Sequence, residues 1–186
     1  MRVISGKAKG LKLIPPNDMK VRPTTDRIKE AIFSSIQGYI DGSVILDLFA
    51  GTGSLGIEAL SRGSSKAYFV DSSKESIKII NDNLGSTKLK DDAEVLFMDA
   101  KLAIKKLARD DVKLDIIFLD PPYREALIES IIIDLVDNNL VKENTIIIAE
   151  HEIELALSEE IKSFYKFKEK KYGKIIISFY RSEEED

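Results

Sequence analysis

Hydrophobic and polar positions along the chain change their period several times. Residues 1–14 alternate loosely around Gly6 and Gly10, Arg2-Val3-Ile4-Ser5 against Leu11-Lys12-Leu13-Ile14, and stop at Pro15-Pro16, which predicts a short hairpin. Pro23 disfavours helix at Arg22, and Thr24, Thr25 and Asp26 are good N-caps for the segment that follows. There Ile28, Ala31, Ile32, Ser35 and Ile36 fall at helical spacing up to Gly38.

From Ser43 onward, short β-rich apolar runs alternate with helical stretches. The runs are 44–46, 67–70, 95–97 and 116–119; the helical stretches are 55–62, 75–84 and 100–108. Two more strands are expected at 145–149 and 174–180. Continuous apolar strands are buried on both faces, so the pattern predicts a parallel, doubly wound sheet flanked by helices. The lysines at 166, 168, 170, 171 and 174 read as a solvated face of the late strands, and the acidic tail 183–186 as frayed.

The chain has 186 residues, 44% hydrophobic and 32% charged, enough for one domain with a sizeable core. It has no cysteine and one histidine, His151, which argues against disulfides, a thiol nucleophile and a metal site, so no metal is expected. His151 itself, between Glu150 and Glu152, reads as structural. No apolar run approaches the ~20 residues of a membrane span and residues 1–7 lack a signal-like apolar region, so the expected location is the cytoplasm, with no membrane partner. The net charge of -4 conceals a polarity: residues 1–30 carry eight basic and three acidic side chains, while the remainder is acidic. A basic arm on an acidic body can engage phosphates locally. Lys7, Lys9, Lys12, Arg22 and Arg27 are its candidate RNA-contacting residues, although Arg22 and Arg27 could equally pair with Asp26 or Glu30.

The candidate chemistry sits after the buried strands. Phe49-Ala50-Gly51-Thr52-Gly53-Ser54-Leu55-Gly56 has the spacing G-x-G-x-x-G, and Asp71 ends the second strand where it could accept from ribose hydroxyls. Both features suit NAD. Asp47, at the end of the first strand, does not, because its carboxylate would repel a pyrophosphate. A phosphate-free cofactor with a positive amino group, S-adenosylmethionine, fits better, with Asp99 placed to accept from the adenine amine and Met98 to pack on its ring. Asp120-Pro121-Pro122-Tyr123 follows the fourth buried strand. The diproline is stiff and lacks N–H groups, so the Asp120 carboxylate and Pro121 carbonyl can both accept from one planar amine while a base stacks on Tyr123. Such a grip aims the nitrogen lone pair at a sulfonium methyl.

The chain resembles the bacterial guanine-2-amino methyltransferases of small-subunit (16S) ribosomal RNA, within the class I, Rossmann-like methyltransferases. The resemblance rests on residues 2–6 and 9–13, Arg22-Pro23-Thr24-Thr25-Asp26-Arg27 with Glu30, residues 47–59, Asp120-Pro121-Pro122-Tyr123, and Tyr172-Gly173. Ser34 departs from it, standing where an asparagine is expected. The fold it implies is α/β: a mostly parallel, doubly wound sheet with an antiparallel last strand, preceded by a small β-hairpin and helix. It divides the chain into a basic arm, 1–22, and a methyltransferase domain, 23–186. It implies that Asp47, Phe49, Gly51, Gly53, Asp71 and Asp99 hold S-adenosylmethionine, that Asp120, Pro121 and Tyr123 hold the guanine, and that the partner is ribosomal RNA within an assembling small subunit. The rivals are an adenine 6-amino methyltransferase, a dehydrogenase and a non-enzymatic RNA-binding module.

Overall fold

The structure, a computed structural model, describes residues 1–16, 25–122 and 127–182. Arg22 and Tyr123 therefore lie outside the described residues. The first residues form the expected hairpin: Arg2 bridges Lys12, and Val3 and Leu11 are joined through backbone. Helix α1 (Asp26–Ser35) starts at Thr25, whose hydroxyl accepts from the Ile28 N–H at 3.3 Å.

Strands β1 (Val44–Asp47), β2 (Lys66–Asp71), β3 (Ala93–Phe97), β4 (Leu114–Leu119) and β5 (Val141–Glu152) alternate with α2 (Ser54–Ser61), α3 (Lys74–Thr87), α4 (Ala100–Arg109) and α5 (Leu127–Asp137). Then follow β6 (Glu160–Ile161), β7 (Phe164–Tyr172) and β8 (Ile175–Ser182). The sheet order is β3-β2-β1-β4-β5-β8-β7-β6. The first five strands are parallel, and β8 runs antiparallel to β5. The chain order reverses between β1 and β4, which opens a crevice at the strands' carboxyl ends.

Alternation along each strand sorts the core onto two faces. Ile45, Phe69, Ile116, Phe118, Ile148, Ile177 and Phe179 face α1, α2, α3 and the hairpin; Leu46, Val70, Ile117, Leu119, Ile147 and Tyr180 face α4 and α5. Phe33 of α1 meets Phe118 of β4 with ring centroids 5.7 Å apart. Among the described residues no helix is long and apolar enough to cross a membrane.

Three elements were not anticipated. The helix α5 carries Ile128, Ile131, Ile132 and Leu135 on one buried stripe. The expected antiparallel last strand, β8, is joined by β7 and the short β6, which extend the antiparallel edge. The sequence of β7, Phe164-Tyr165-Lys166-Phe167-Lys168-Glu169-Lys170-Lys171-Tyr172, is too charged to read as a buried strand; it lies near the sheet edge, paired along its length with β8 and only at its first two residues with the short β6.

Candidate active site

The glycine loop follows β1 and reaches the carboxyl edge of the sheet. Gly51 and Gly53 adopt positive φ, 56° and 77°, and a Cβ on Gly51 would enter open space, so a ligand can approach the backbone there. The loop is held from two sides. The Gly51 N–H donates to Asp71 Oδ2 at 2.9 Å, and the Gly56 N–H donates to Asp47 Oδ2 at 3.1 Å. The second Asp71 oxygen accepts from the Ser73 N–H at 2.8 Å. Gly53 caps α2 without a side-chain hydrogen bond, which leaves the helix N-terminus attractive to an anion.

Asp47 is almost completely buried, and burial together with the Asp71 charge lifts its carboxyl to about 7, against the opposing effect of the Gly56 N–H. Asp120, directly after β4, is half-buried, and its carboxyl is raised well above the ordinary range by desolvation, then by the charges of Glu150 and Asp47. The geometry agrees with that cause. Leu119 pairs with Ala149, which brings Asp120 alongside Glu150 on the next strand, and Phe118 pairs with Asp47. Asp47, Asp120 and Glu150 thus converge near the carboxyl ends of three adjacent strands, and the carboxyls of Asp47 and Asp120 ionise less readily than isolated acids. Pro121 is buried and Pro122 exposed.

The remaining predicted residues are distributed as follows. Phe49 is half-buried beside the α4–α5 core. Asp99 is exposed and caps α4, accepting from the Leu102 N–H at 2.9 Å. Met98, half-buried, is tied to β2 through its N–H and the Asp71 carbonyl, 3.2 Å. A concavity of about 760 Å³ lined by Met98, Leu102, Lys106, Ala108, Arg109 and Asn138 runs along α4, and of the residues read from the sequence as cofactor contacts only Met98 lines it. Lys7, Lys9, Lys12 and Arg27 are exposed; Lys7 pairs with Asp92 at 3.5 Å, and Arg27 lies over the Tyr172 ring, 5.9 Å from its centroid. His151 is buried between Ser178 Oγ, 2.9 Å from Nε2, and the Glu152 carbonyl, 3.0 Å from Nδ1, which gives it a structural role in joining β5 to β8.

Sequence reasoning missed the group that fixes the hairpin against this site. Glu58 of α2 is fully buried and accepts from the Ile4 and Ser5 N–H groups at 2.8 and 3.0 Å. It pairs with Arg62 at 2.8 Å and with the equally buried Lys29 of α1 at 3.4 Å. Lys29 Nζ also donates to the Arg2 carbonyl and, at 3.1 Å, to Ser54 Oγ at the end of the glycine loop. Burial lowers the Lys29 pKa, and the Glu58 charge opposes that shift. Ser61 continues the seam: its hydroxyl bridges the Ala8 N–H and the Ser5 carbonyl. Gly6, φ 83°, passes so close that a Cβ would lie 1.8 Å from the Ser61 carbonyl oxygen. The available signal was the placement of a lysine between Ile28 and Ile32 and of a glutamate inside Leu55-Gly56-Ile57-Glu58-Ala59-Leu60.

The family model described as conserved hypothetical protein 95 matches residues 1–181. Putative rRNA methyltransferase YlbH of Bacillus subtilis (strain 168) is 39% identical over 181 residues, 97% of this chain and 98% of its own length. Ribosomal RNA small subunit methyltransferase D of Escherichia coli (strain K12) is 33% identical over 183 residues, 98% of this chain and 90% of its own. A solved structure described as putative methyltransferase yhhF from Escherichia coli superposes with a TM-score of 0.87 at 32% identity, covering 98% of each chain. The sheet and its helices are a Rossmann-like class I methyltransferase fold.

Proposed function

The chain belongs to the family described as conserved hypothetical protein 95, and from that premise we propose that it methylates the 2-amino group of a guanine in small-subunit (16S) ribosomal RNA, using S-adenosylmethionine. Relatives named as ribosomal RNA methyltransferases support the reaction class. The choice of amine rests on one observation: Asp120-Pro121-Pro122 leaves β4 at the β1/β4 crevice, beside the loop that Asp47 and Asp71 hold.

In this reading S-adenosylmethionine, when bound, supplies an electrophilic methyl group on a sulfonium. Gly51 admits its backbone-facing side while Gly53, at positive φ, turns the loop into α2; Asp71 and Asp99 offer acceptors to its ribose and adenine, and Phe49 packs beside it. Its positive amino group suits Asp47, and its carboxylate suits the uncapped start of α2. Asp120 and the Pro121 carbonyl take the two hydrogens of the guanine amine, Tyr123 stacks on the base, and the nitrogen lone pair is left facing the methyl. A base must leave its stack to reach this corner, at a cost of a few kcal/mol, which favours a loop nucleotide in an assembling subunit. Residues 1–22 serve as the basic arm, with Lys7, Lys9, Lys12 and Arg22 along the RNA together with Arg27, and residues 23–186 as the methyltransferase domain.

The test is transfer of labelled methyl to naked 16S ribosomal RNA, to partly assembled subunits and to DNA, followed by digestion to nucleosides. N2-methylguanosine from RNA is expected. Label in methyladenosine or methyldeoxyadenosine would move the assignment to the adenine 6-amino class, and no label in any nucleic acid would overturn it.

A further inference from the structure

The antiparallel edge carries a row of cations and aromatic rings that the proposed reaction does not use. On β7 and β8, Lys168 pairs with Phe179, Lys170 with Ile177 and Tyr172 with Ile175, so these side chains share the sheet face on which α1 lies. Arg27 of α1 stands over Tyr172 at one end, 5.9 Å from its centroid. Lys168 stands over Phe179 at 5.9 Å, and Arg181 over both Phe167 and Tyr165, at 5.0 and 5.4 Å. Among the described residues none of Arg27, Lys168, Lys170 and Arg181 has a carboxylate within ion-pair distance, although the chain is acidic overall. By contrast Lys166, on the opposite face, is paired with both Glu159 and Glu169.

The placement of this row relative to Asp120 gives it direction. Leu119 pairs with Ala149, Ala149 with Ser178, and Lys170 with Ile177, so Lys170 lies nearly level with Asp120, three strands away. At ~4.8 Å per strand the separation is about 14 Å. From Tyr172 to Tyr165 the row continues for seven residue steps, about 23 Å at ~3.3 Å each, away from the carboxyl edge. Cations without a carboxylate partner among the described residues, interleaved with the half-buried rings of Tyr165, Phe167 and Tyr172, match a polyanion whose bases can stack. Burial and the neighbouring Lys168 already lower the Lys170 pKa, a cost that an arriving phosphate would reverse.

Resting on the reading that this chain methylates ribosomal RNA, we propose that the face formed by Arg27, Phe167, Lys168, Lys170, Tyr172 and Arg181 is a second RNA-binding track, which holds the single-stranded flank of the target nucleotide. Arg2 of the hairpin, paired with Asp26 at 3.4 Å next to Arg27, joins the hairpin to α1. Arg181 is exposed and donates through Nε to Tyr165 Oη, which holds its guanidinium over the Tyr165 and Phe167 rings.

The test is fluorescence-anisotropy binding of a labelled fragment of naked 16S ribosomal RNA, over a range of salt, to wild type, to Lys168→Gln/Lys170→Gln/Arg181→Gln, and to Lys168→Arg/Lys170→Arg. The triple variant is expected to bind at least tenfold more weakly, with the slope of log affinity against log salt reduced by about 2, since each single-strand phosphate contact contributes ~0.7. The arginine variant should bind like wild type. Unchanged affinity and slope in the triple variant would overturn the proposal, as would a loss that the arginine variant shares. A deficit seen only on assembled subunits would assign the face to a ribosomal protein and would equally overturn it. The readout is binding without turnover, so an inactive wild type would sink the proposed function while leaving this measurement interpretable.

Discussion

Asp47→Asn tests the electrostatics of the site most directly. The substitution keeps an oxygen that can accept from the Gly56 N–H and removes only the charge. The carboxyl is raised from 3.8 to about 7 in the fold, first by burial and then by Asp71. Below pH 3.8 both folded and unfolded chains hold the proton and the group contributes nothing to the balance. As pH rises toward 7 the unfolded chain releases its proton first, so stability falls, and above about 7 the penalty levels off. The shift of roughly three units corresponds to a ceiling of about 4 kcal/mol, of which about 2.5 kcal/mol develops between pH 5 and pH 8. For a chain of this size each kcal/mol moves Tm by about 2–4 °C, so the Tm of Asp47→Asn should gain about 5–10 °C relative to wild type between pH 5 and pH 8. Differential scanning fluorimetry of the cofactor-free protein across that range is sufficient. A Tm difference between variant and wild type that stays constant with pH would show that Asp47 does not titrate there and would refute the burial-raised pKa.

Asp120→Asn should lower kcat for methyl transfer by about 100-fold or more, while the S-adenosylmethionine affinity measured by calorimetry changes little; near-normal turnover would remove Asp120 from the reaction. Glu58→Gln leaves Lys29 buried without its counter-charge and should cost about 3 kcal/mol in urea denaturation, with proteolytic cleavage within residues 1–16 appearing at the same time. Gly6→Ala should expose the same segment to protease through the clash with the Ser61 carbonyl, while the Tm of the rest changes less. His151, whose pKa is lowered by burial, resists protonation in the fold, so wild type should lose stability as pH falls below 6.5 and His151→Asn should lose less, as read by the same thermal scans.

Where burial is two-sided, the sequence announces the structure. The runs at 44–46, 67–70 and 116–119 are apolar because helices cover both faces of β1, β2 and β4, and their boundaries fall within two residues of the observed strands. β7 carries no such signal, since beyond its first two residues it is paired on one side only, by β8, and its lysine stems can lie across ring faces. The α5 stripe was present in the spacing of Ile128, Ile131, Ile132 and Leu135, but an isoleucine-rich stretch reads as strand as readily as helix. At the site, the turn at Gly51 and Gly53 was legible because both adopt positive φ, and Asp71 because it ends β2 beside them. Asp47 was read as a ligand-facing charge, whereas burial and the Gly56 N–H also give it a part in holding the loop. The apolar surroundings of Lys29 and Glu58 hinted at burial, but their pairing was not legible, because they are 29 positions apart and several of their other partners are main-chain groups of the hairpin.

Helix α2 is only eight residues long, about 12 Å. Its first turn receives the glycine loop, and its last turns, through Glu58, Ser61 and Arg62, grip the hairpin. It behaves as a short axle whose two ends are keyed to different parts. Inserting one residue in its middle would turn one end by about 100° against the other, so the loop and the hairpin could not both stay seated.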